Sequence, residues 1–233
     1  IIANLNVGIF YMIAVTSIVA VGILMAGWAS NNKFSLLGGM RAAAQIVSYE
    51  IPAGLAILCV VFLTGSLSMQ DIIKAQGAYP WQWFLFDNPF MPIAFLSLFI
   101  ASLAEGNRTP FDIPEAESEL VAGFHTEYSG MRFALFFLGE YTAIFISSAI
   151  AATLFLGGWR SPVPGLPAGS VAGPFWLLLK TYGIVFVVMW VRWTFPRLRS
   201  DQLMNFAWKA LIPFAILNVF FTALVIQCQK FFS

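Results

Sequence analysis

Histidine and cysteine are nearly missing from this chain. One histidine, His125, and two cysteines, Cys59 and Cys228, are all that 233 residues contain. Haem, zinc and iron–sulfur sites each need several such ligands, so no metal site is expected on this chain alone. The two cysteines sit in separate apolar runs, form no CxxC, and read as small buried hydrophobes. Charge is equally scarce. Charged residues make up 10% of the sequence and the net charge is +1, which leaves no basic field to attract nucleic acid. There is no internal repeat, no low-complexity segment and no signal-peptide pattern. The chain opens on Ile1 and is expected to lack an N-terminal part.

What remains is apolar. The hydrophobic fraction is 60% and the mean hydropathy is +0.83, the composition of a polytopic membrane protein. At ~20 residues per span, the sequence predicts an all-α polytopic fold. It has about six transmembrane helices in a single transmembrane domain, residues 1–233. The predicted spans are 7–28, 41–67, 89–104, 131–156, 175–195 and 206–229. Trp28 ends the first at an interface, where tryptophan is favoured. Arg41, Gln45 and Ser48 recur at helical spacing and share one face of the second. Glu50 lies inside that span, two residues before Pro52, which is expected to bend it. Residues 68–88 form an external-type loop with a short helix over 69–76 and with Trp81 and Trp83 as interface anchors. Residues 157–174 form a hairpin loop.

Basic residues divide unevenly between the two sides. Lys33, Arg41, Arg108, Arg132, Arg192, Arg197, Arg199 and Lys209 fall on one side, and Lys74, Arg160 and Lys230 on the other. The positive-inside rule places the first group in the cytoplasm, or in the matrix or stroma of an organelle. On that side lies the feature needing most explanation. Seven of the eleven acidic residues fall in the stretch from Glu105 to Glu140. Residues 106–130 are expected to form an acidic cytoplasmic loop with one short helix, about 113–122. Asp112 and Glu115 have the form of its capping box, Pro114 lies in its first turn and Gly123 suits its stop. Glu115 and Glu119 share a helix face, so one is expected to be protonated or paired with Arg108 or Arg41. His125 reads as a loop hydrogen-bonder, and Arg197, Arg199 and Lys209 read as membrane-side anchors.

Glu140 is of another kind. It lies within an apolar span between Phe136, Phe137, Ala143 and Ile144, where a charge costs ~2.5–3.5 kcal/mol or more. A carboxylate held there points to function. The alternative is a salt bridge to Lys180 on the next span. Glu50 has the same character. Glu105, at a span end, also suits an ordinary interface carboxylate.

Several longer strings resemble one family. Arg108-Thr-Pro-Phe-Asp112, Glu115-Ala-Glu-Ser-Glu-Leu120, Glu127-Tyr-Ser-Gly130 and Phe136-Phe-Leu-Gly-Glu-Tyr141 closely resemble the H-subunit family of the proton-pumping NADH:quinone oxidoreductase, respiratory complex I. Gly27-Trp-Ala-Ser-Asn-Asn32, Gly39-Met-Arg-Ala42, Gln45-Ile-Val-Ser-Tyr-Glu50 and Pro196-Arg-Leu-Arg-Ser-Asp-Gln202 resemble it too. The matches run in order along essentially the whole chain.

The resemblance implies eight spans, of which this sequence holds about six. It implies a membrane component without a redox centre that walls part of the quinone tunnel. It also implies an acidic path coupling quinone reduction to proton translocation: Glu50, Glu105, Asp112, Glu115, Glu117, Glu119, Glu127 and Glu140. Arg41, Arg108 and Lys180 are the expected supporting charges or quinone-cavity residues. Quinone would be the substrate of the assembly, with NADH, FMN and iron–sulfur clusters bound by partner subunits. The expected partners are the peripheral quinone-site subunits, neighbouring small membrane subunits and the bilayer of an energy-transducing membrane, bacterial or mitochondrial. Two alternatives belong to other classes. One is the homologous anchor component of a membrane-bound hydrogenase or formate-linked complex. The other is a free-standing ion transporter, which would normally show paired repeats and broken helices.

Overall fold

Long apolar runs dictate helices here, because a backbone without water must bond to itself. The computed structural model describes residues 5–77, 79–112, 123–163 and 172–232, and its regular elements among these are all helical. Helix α1 covers Gly8–Ala29, α2 Lys33–Thr64, α3 Met69–Ala75, α4 Phe84–Asp87 and α5 Met91–Glu105. One 3₁₀ turn at Pro80–Gln82 precedes α4, and another at Gly123–His125 precedes α6, Gly130–Phe155. Helix α7 is Ala172–Thr194. Helix α8, Ser200–Phe206, passes through a π-helical turn at Ala207–Leu211 into α9, Ile212–Phe232. Five stretches are long and apolar enough to cross a membrane: α1, α2, α6, α7 and the continuous α8–α9 run. Helix α5 is a shorter sixth apolar helix. The expected all-α polytopic class therefore holds. The loop helix expected over 113–122 lies outside the described residues.

Helix α2 begins at Lys33, well before the start expected at Arg41. Asn32 caps it, its side chain accepting the Phe34 amide at 3.0 Å. Gly38 and Gly39 do not interrupt it, because they are sites of close backbone approach. A Cβ on Gly38 would stand 2.9 Å from the Gly123 backbone, and one on Gly27 would stand 2.9 Å from the Ser35 carbonyl oxygen. Small residues let helices meet at this distance in a membrane. The Gly123–His125 turn is thereby seated on the α1–α2 corner. The Ser35 hydroxyl donates to the Phe124 carbonyl at 3.0 Å, and the Tyr128 hydroxyl donates to the Ala26 carbonyl at 3.1 Å. Helix α2 continues through Pro52 and stops at Gly65, in the left-handed region at φ +67°.

Helix α2 is the central element, packing against α1, α5 and α9. Its Tyr49, Cys59 and Val60 are fully buried. The Tyr49 hydroxyl donates to the Leu203 carbonyl at 3.1 Å. The Trp208 indole donates to Ser48 Oγ at 3.3 Å. Residues 200–205, expected as loop, are helical because Leu203 is buried while Asp201 and Gln202 face outward.

Trp81 is exposed and stacked on Tyr79, as an interface residue should be. Trp83 corrects the expectation. It is buried, with the Lys180 ammonium 4.1 Å from its ring centroid. His125, expected as a loop hydrogen-bonder, accepts the Tyr128 amide through its carbonyl at 3.0 Å, and its ring packs edge-on against Phe124 and Phe133.

Candidate functional site

The acidic end of the molecule is built where α5 stops. Gly106 ends the helix against α6, where a Cβ would meet Ile144 at 2.9 Å. Asn107 then turns the chain in the left-handed region at φ +46°, a conformation asparagine tolerates better than most residues. Gln45 of α2 holds this turn at both ends. Its amide nitrogen donates to the Ala104 carbonyl at 2.8 Å and the Phe111 carbonyl at 2.9 Å, with Asn107 Oδ1 at 3.4 Å. The same turn is fixed to the α7–α8 connection by the Leu198 amide, which donates to the Pro110 carbonyl at 3.1 Å. Local chain geometry thus sets where Glu105, Arg108 and Asp112 stand.

Arg108 is the buried cation of the site, with 4% of its side chain exposed. Its Nη2 lies 3.6 Å from Oε2 of Glu140, whose side chain is 12% exposed. That is ion-pair distance, longer than a direct hydrogen bond. Its guanidinium carbon lies 4.4 Å from the centroid of the Tyr141 ring. Holding a charge at this depth without compensation costs several kcal/mol, and the anion and the ring offset that cost.

Glu50 and Glu105 belong to the same end. Both line a cavity of about 440 Å³ between α1, α2, α5 and α6, and they lie near enough for their charges to repel. Thr16, Ser102, Thr142 and Ser147 add hydroxyls to otherwise apolar walls. Gly139 lines the cavity too, so the chain passes from cavity wall to the Arg108 ion pair in one residue.

The structure brings some expected residues together and not others. Glu50, Glu105, Arg108 and Glu140 gather around the end of α5, with Asp112 half-buried four residues beyond Arg108. Arg41 is exposed on α2. Glu127 is exposed beside the α1–α2 turn, where it accepts from the Asn32 side-chain amide at 2.9 Å. Glu115, Glu117 and Glu119 lie outside the described residues.

Lys180 is elsewhere, and the salt bridge to Glu140 that the sequence allows is not formed. The Lys180 ammonium donates to the carbonyls of Leu156, Gly158 and Arg160 at 2.5, 3.0 and 2.7 Å. Those carbonyls follow the far end of α6, sixteen residues past Glu140, or about 24 Å along a helix. Gln76 caps the same end, donating to Thr153 and Leu154, and Arg160 reaches back to the Lys74 carbonyl at 3.0 Å. Lys180 resembles a counter-ion in the sequence because a sequence shows the charge but not the unsatisfied carbonyls a helix end presents.

Sequence reasoning misses two contributors. Gln45 enters it only as part of a polar face, and its signal is an amide set among small residues of an apolar helix. Tyr141 enters it only as a flank of Glu140, and nothing in the sequence marks its ring as Arg108's neighbour.

A profile of the NADH dehydrogenase family matches residues 1–223. Among similar curated proteins, the H subunit of NADH-quinone oxidoreductase from Anaeromyxobacter dehalogenans is 55% identical over 230 residues, covering 91% of this chain and 56% of that protein. The protein of that name from Chlorobaculum tepidum is 54% identical over 232 residues, covering 95% and 65%. The one from Geobacillus kaustophilus is 54% identical over 223 residues, covering 96% and 64%. The chain thus spans roughly three-fifths of the length of these relatives.

Proposed function

The chain belongs to the NADH dehydrogenase family, and from that premise we propose that it works as the membrane-embedded part of an H-type subunit in an NADH-quinone oxidoreductase. In this reading it carries no redox centre. It contributes wall to the quinone cavity and a carboxylate path that couples quinone reduction to proton translocation. Its partners are the other subunits of that assembly, which bind NADH, FMN and iron–sulfur clusters. Its place is an energy-transducing membrane.

The observation that carries the reading is the grouping at the end of α5. Glu50 and Glu105 share a cavity, while Arg108 and Glu140 form a buried ion pair beside it. Intramembrane ionisable residues that pair with one another mark proton routes more often than scaffolding. The chemistry is electrostatic. A change of charge or proton demand at the quinone alters the balance at Glu105 and Arg108. Coupled carboxylates pass that change on by redistributing protons. Glu140 stands between the cavity wall and Arg108, so its protonation state and the pose of the guanidinium are linked. Asp112, Glu115, Glu117, Glu119 and Glu127 extend the path in this proposal, with Arg41 at its water-facing side.

The test is Glu140→Gln, which keeps shape and removes the titratable group. The complex should assemble on a native gel and oxidise NADH with an artificial acceptor at the parental rate. Quinone reduction should fall by roughly 10²-fold or more, the scale of a positioned proton transfer, with pumping lost in parallel. An assembled variant that reduces quinone and pumps at the parental rate would sink the relay role.

A further inference from the structure

Arg108 lies between Glu105 and Asp112 along the chain and pairs with Glu140, so the orientation of its guanidinium sets how strongly it is coupled to that carboxylate. The ion pair alone does not fix that orientation. Its 3.6 Å separation is longer than a hydrogen bond, and among the described residues Arg108 Nε and Nη2 have no hydrogen-bond partner. A planar guanidinium offers donors at its edge and stacks by its face. The guanidinium carbon lies over the Tyr141 ring, 4.4 Å from its centroid. Glu140 and Tyr141 are consecutive on α6, about 100° apart around the helix. One turn of α6 therefore supplies the cation with both an anion and an aromatic ring. Tyr141 is itself 43% exposed whereas Arg108 is 4% exposed.

We propose that Tyr141 is a positioning residue, whose aromatic face fixes the Arg108 guanidinium in the pose that couples it to Glu140. The proposal rests on the acidic-path reading above. The ring's electrons, more than its volume or its hydroxyl, do this work, since a cation over an aromatic face is held by the ring quadrupole. Tyr141→Phe should therefore retain most quinone reductase activity, and Tyr141→Leu should not.

The decisive experiment grades the ring. In the full-length protein within its assembled complex, phenylalanine and its mono-, di- and trifluorinated analogues are placed at position 141 by nonsense suppression. Each fluorine withdraws charge from the ring face and barely changes its shape. Quinone reduction is measured per assembled enzyme, normalised to NADH oxidation with an artificial acceptor. The expected result is a stepwise fall in rate, linear on a logarithmic scale. Across the series it should total roughly three- to tenfold, the size a desolvated cation–π contact carries. A series that stays flat overturns the proposal. Arg108→Leu and Glu140→Gln are run beside it. A flat series with both of these impaired removes Tyr141 and leaves the acidic path standing. A flat series with both at the parental rate removes the path as well.

Discussion

Replacing Lys180 by methionine tests the assignment of this lysine to the far end of α6. Methionine keeps the length and apolar stem and deletes the ammonium. The loss covers three hydrogen bonds, to Leu156, Gly158 and Arg160, and the contact with the Trp83 ring. Hydrogen bonds from a charged donor contribute about 1.5–3 kcal/mol each, so the gross loss is roughly 5–9 kcal/mol. Against it stands the recovered cost of keeping an ammonium out of water, several kcal/mol. Three carbonyls at a buried helix end are then left without their donor. The net expectation is a loss of about 3–5 kcal/mol, the range for deleting one side of a buried charged arrangement. At ~2–4 °C per kcal/mol for a domain of this size, the melting midpoint should drop by roughly 6–20 °C. The measurement is a thermal ramp in mild detergent in a Cys228→Ser background, since Cys228 is exposed, followed by dye labelling of newly exposed Cys59, which is buried in the fold. Well below the melting range the assembled variant should reduce quinone normally, since Lys180 is about 24 Å from Glu140. A variant that melts with the parent, or one that melts normally but loses quinone reduction in the cold, would refute the assignment.

Two further outcomes follow from the same geometry. Gln45→Leu removes the amide that holds Ala104 and Phe111 and should cost about 1–3 kcal/mol, since the Ala104 carbonyl keeps the Asn107 amide and the Phe111 carbonyl loses its donor. It should also lower the yield of assembled complex on a native gel; full yield with parental stability would mean that the turn holds itself. For topology, Lys74 and Arg199 are exposed on opposite ends of the molecule, whereas Gln76 is buried and makes a poor reporter. Cysteine at Lys74 should react with an impermeant thiol reagent outside intact cells and cysteine at Arg199 should not; the reverse pattern would invert the orientation drawn from the basic residues.

Much of this architecture is legible in the sequence because lipid imposes a single rule, that long apolar runs become helices. Helix positions along the chain come from that rule alone. Where sequence and structure part, a residue's local type disagrees with its tertiary use. The span expected to start at Arg41 starts at Lys33, because Gly38 and Gly39 are contacts inside the helix. Trp83 reads as a membrane-surface residue and instead roofs a buried lysine. At the site, Glu140 is legible because a carboxylate in an apolar helix has few other reasons to be there. Arg108 is visible as a charge, but its partner is not, since pairing across 32 residues of chain depends on how α5 ends against α6. Gln45 and Tyr141 act through a carbonyl and a ring face, contacts that leave no mark in a list of residue types.

The two ties on α2 bear on how the acidic stretch can vary in length. Phe111 is held by Gln45, and Gly123 lies against Gly38. Positions 38 and 45 are seven residues apart, about 10 Å along the helix. The chain therefore departs from α2 and returns to it within two turns of the same helix. Closing a loop between ends already this near depends only weakly on its length, with each doubling costing about 0.6 kcal/mol. Insertions or deletions between 111 and 123 should leave the packing of the spans almost untouched.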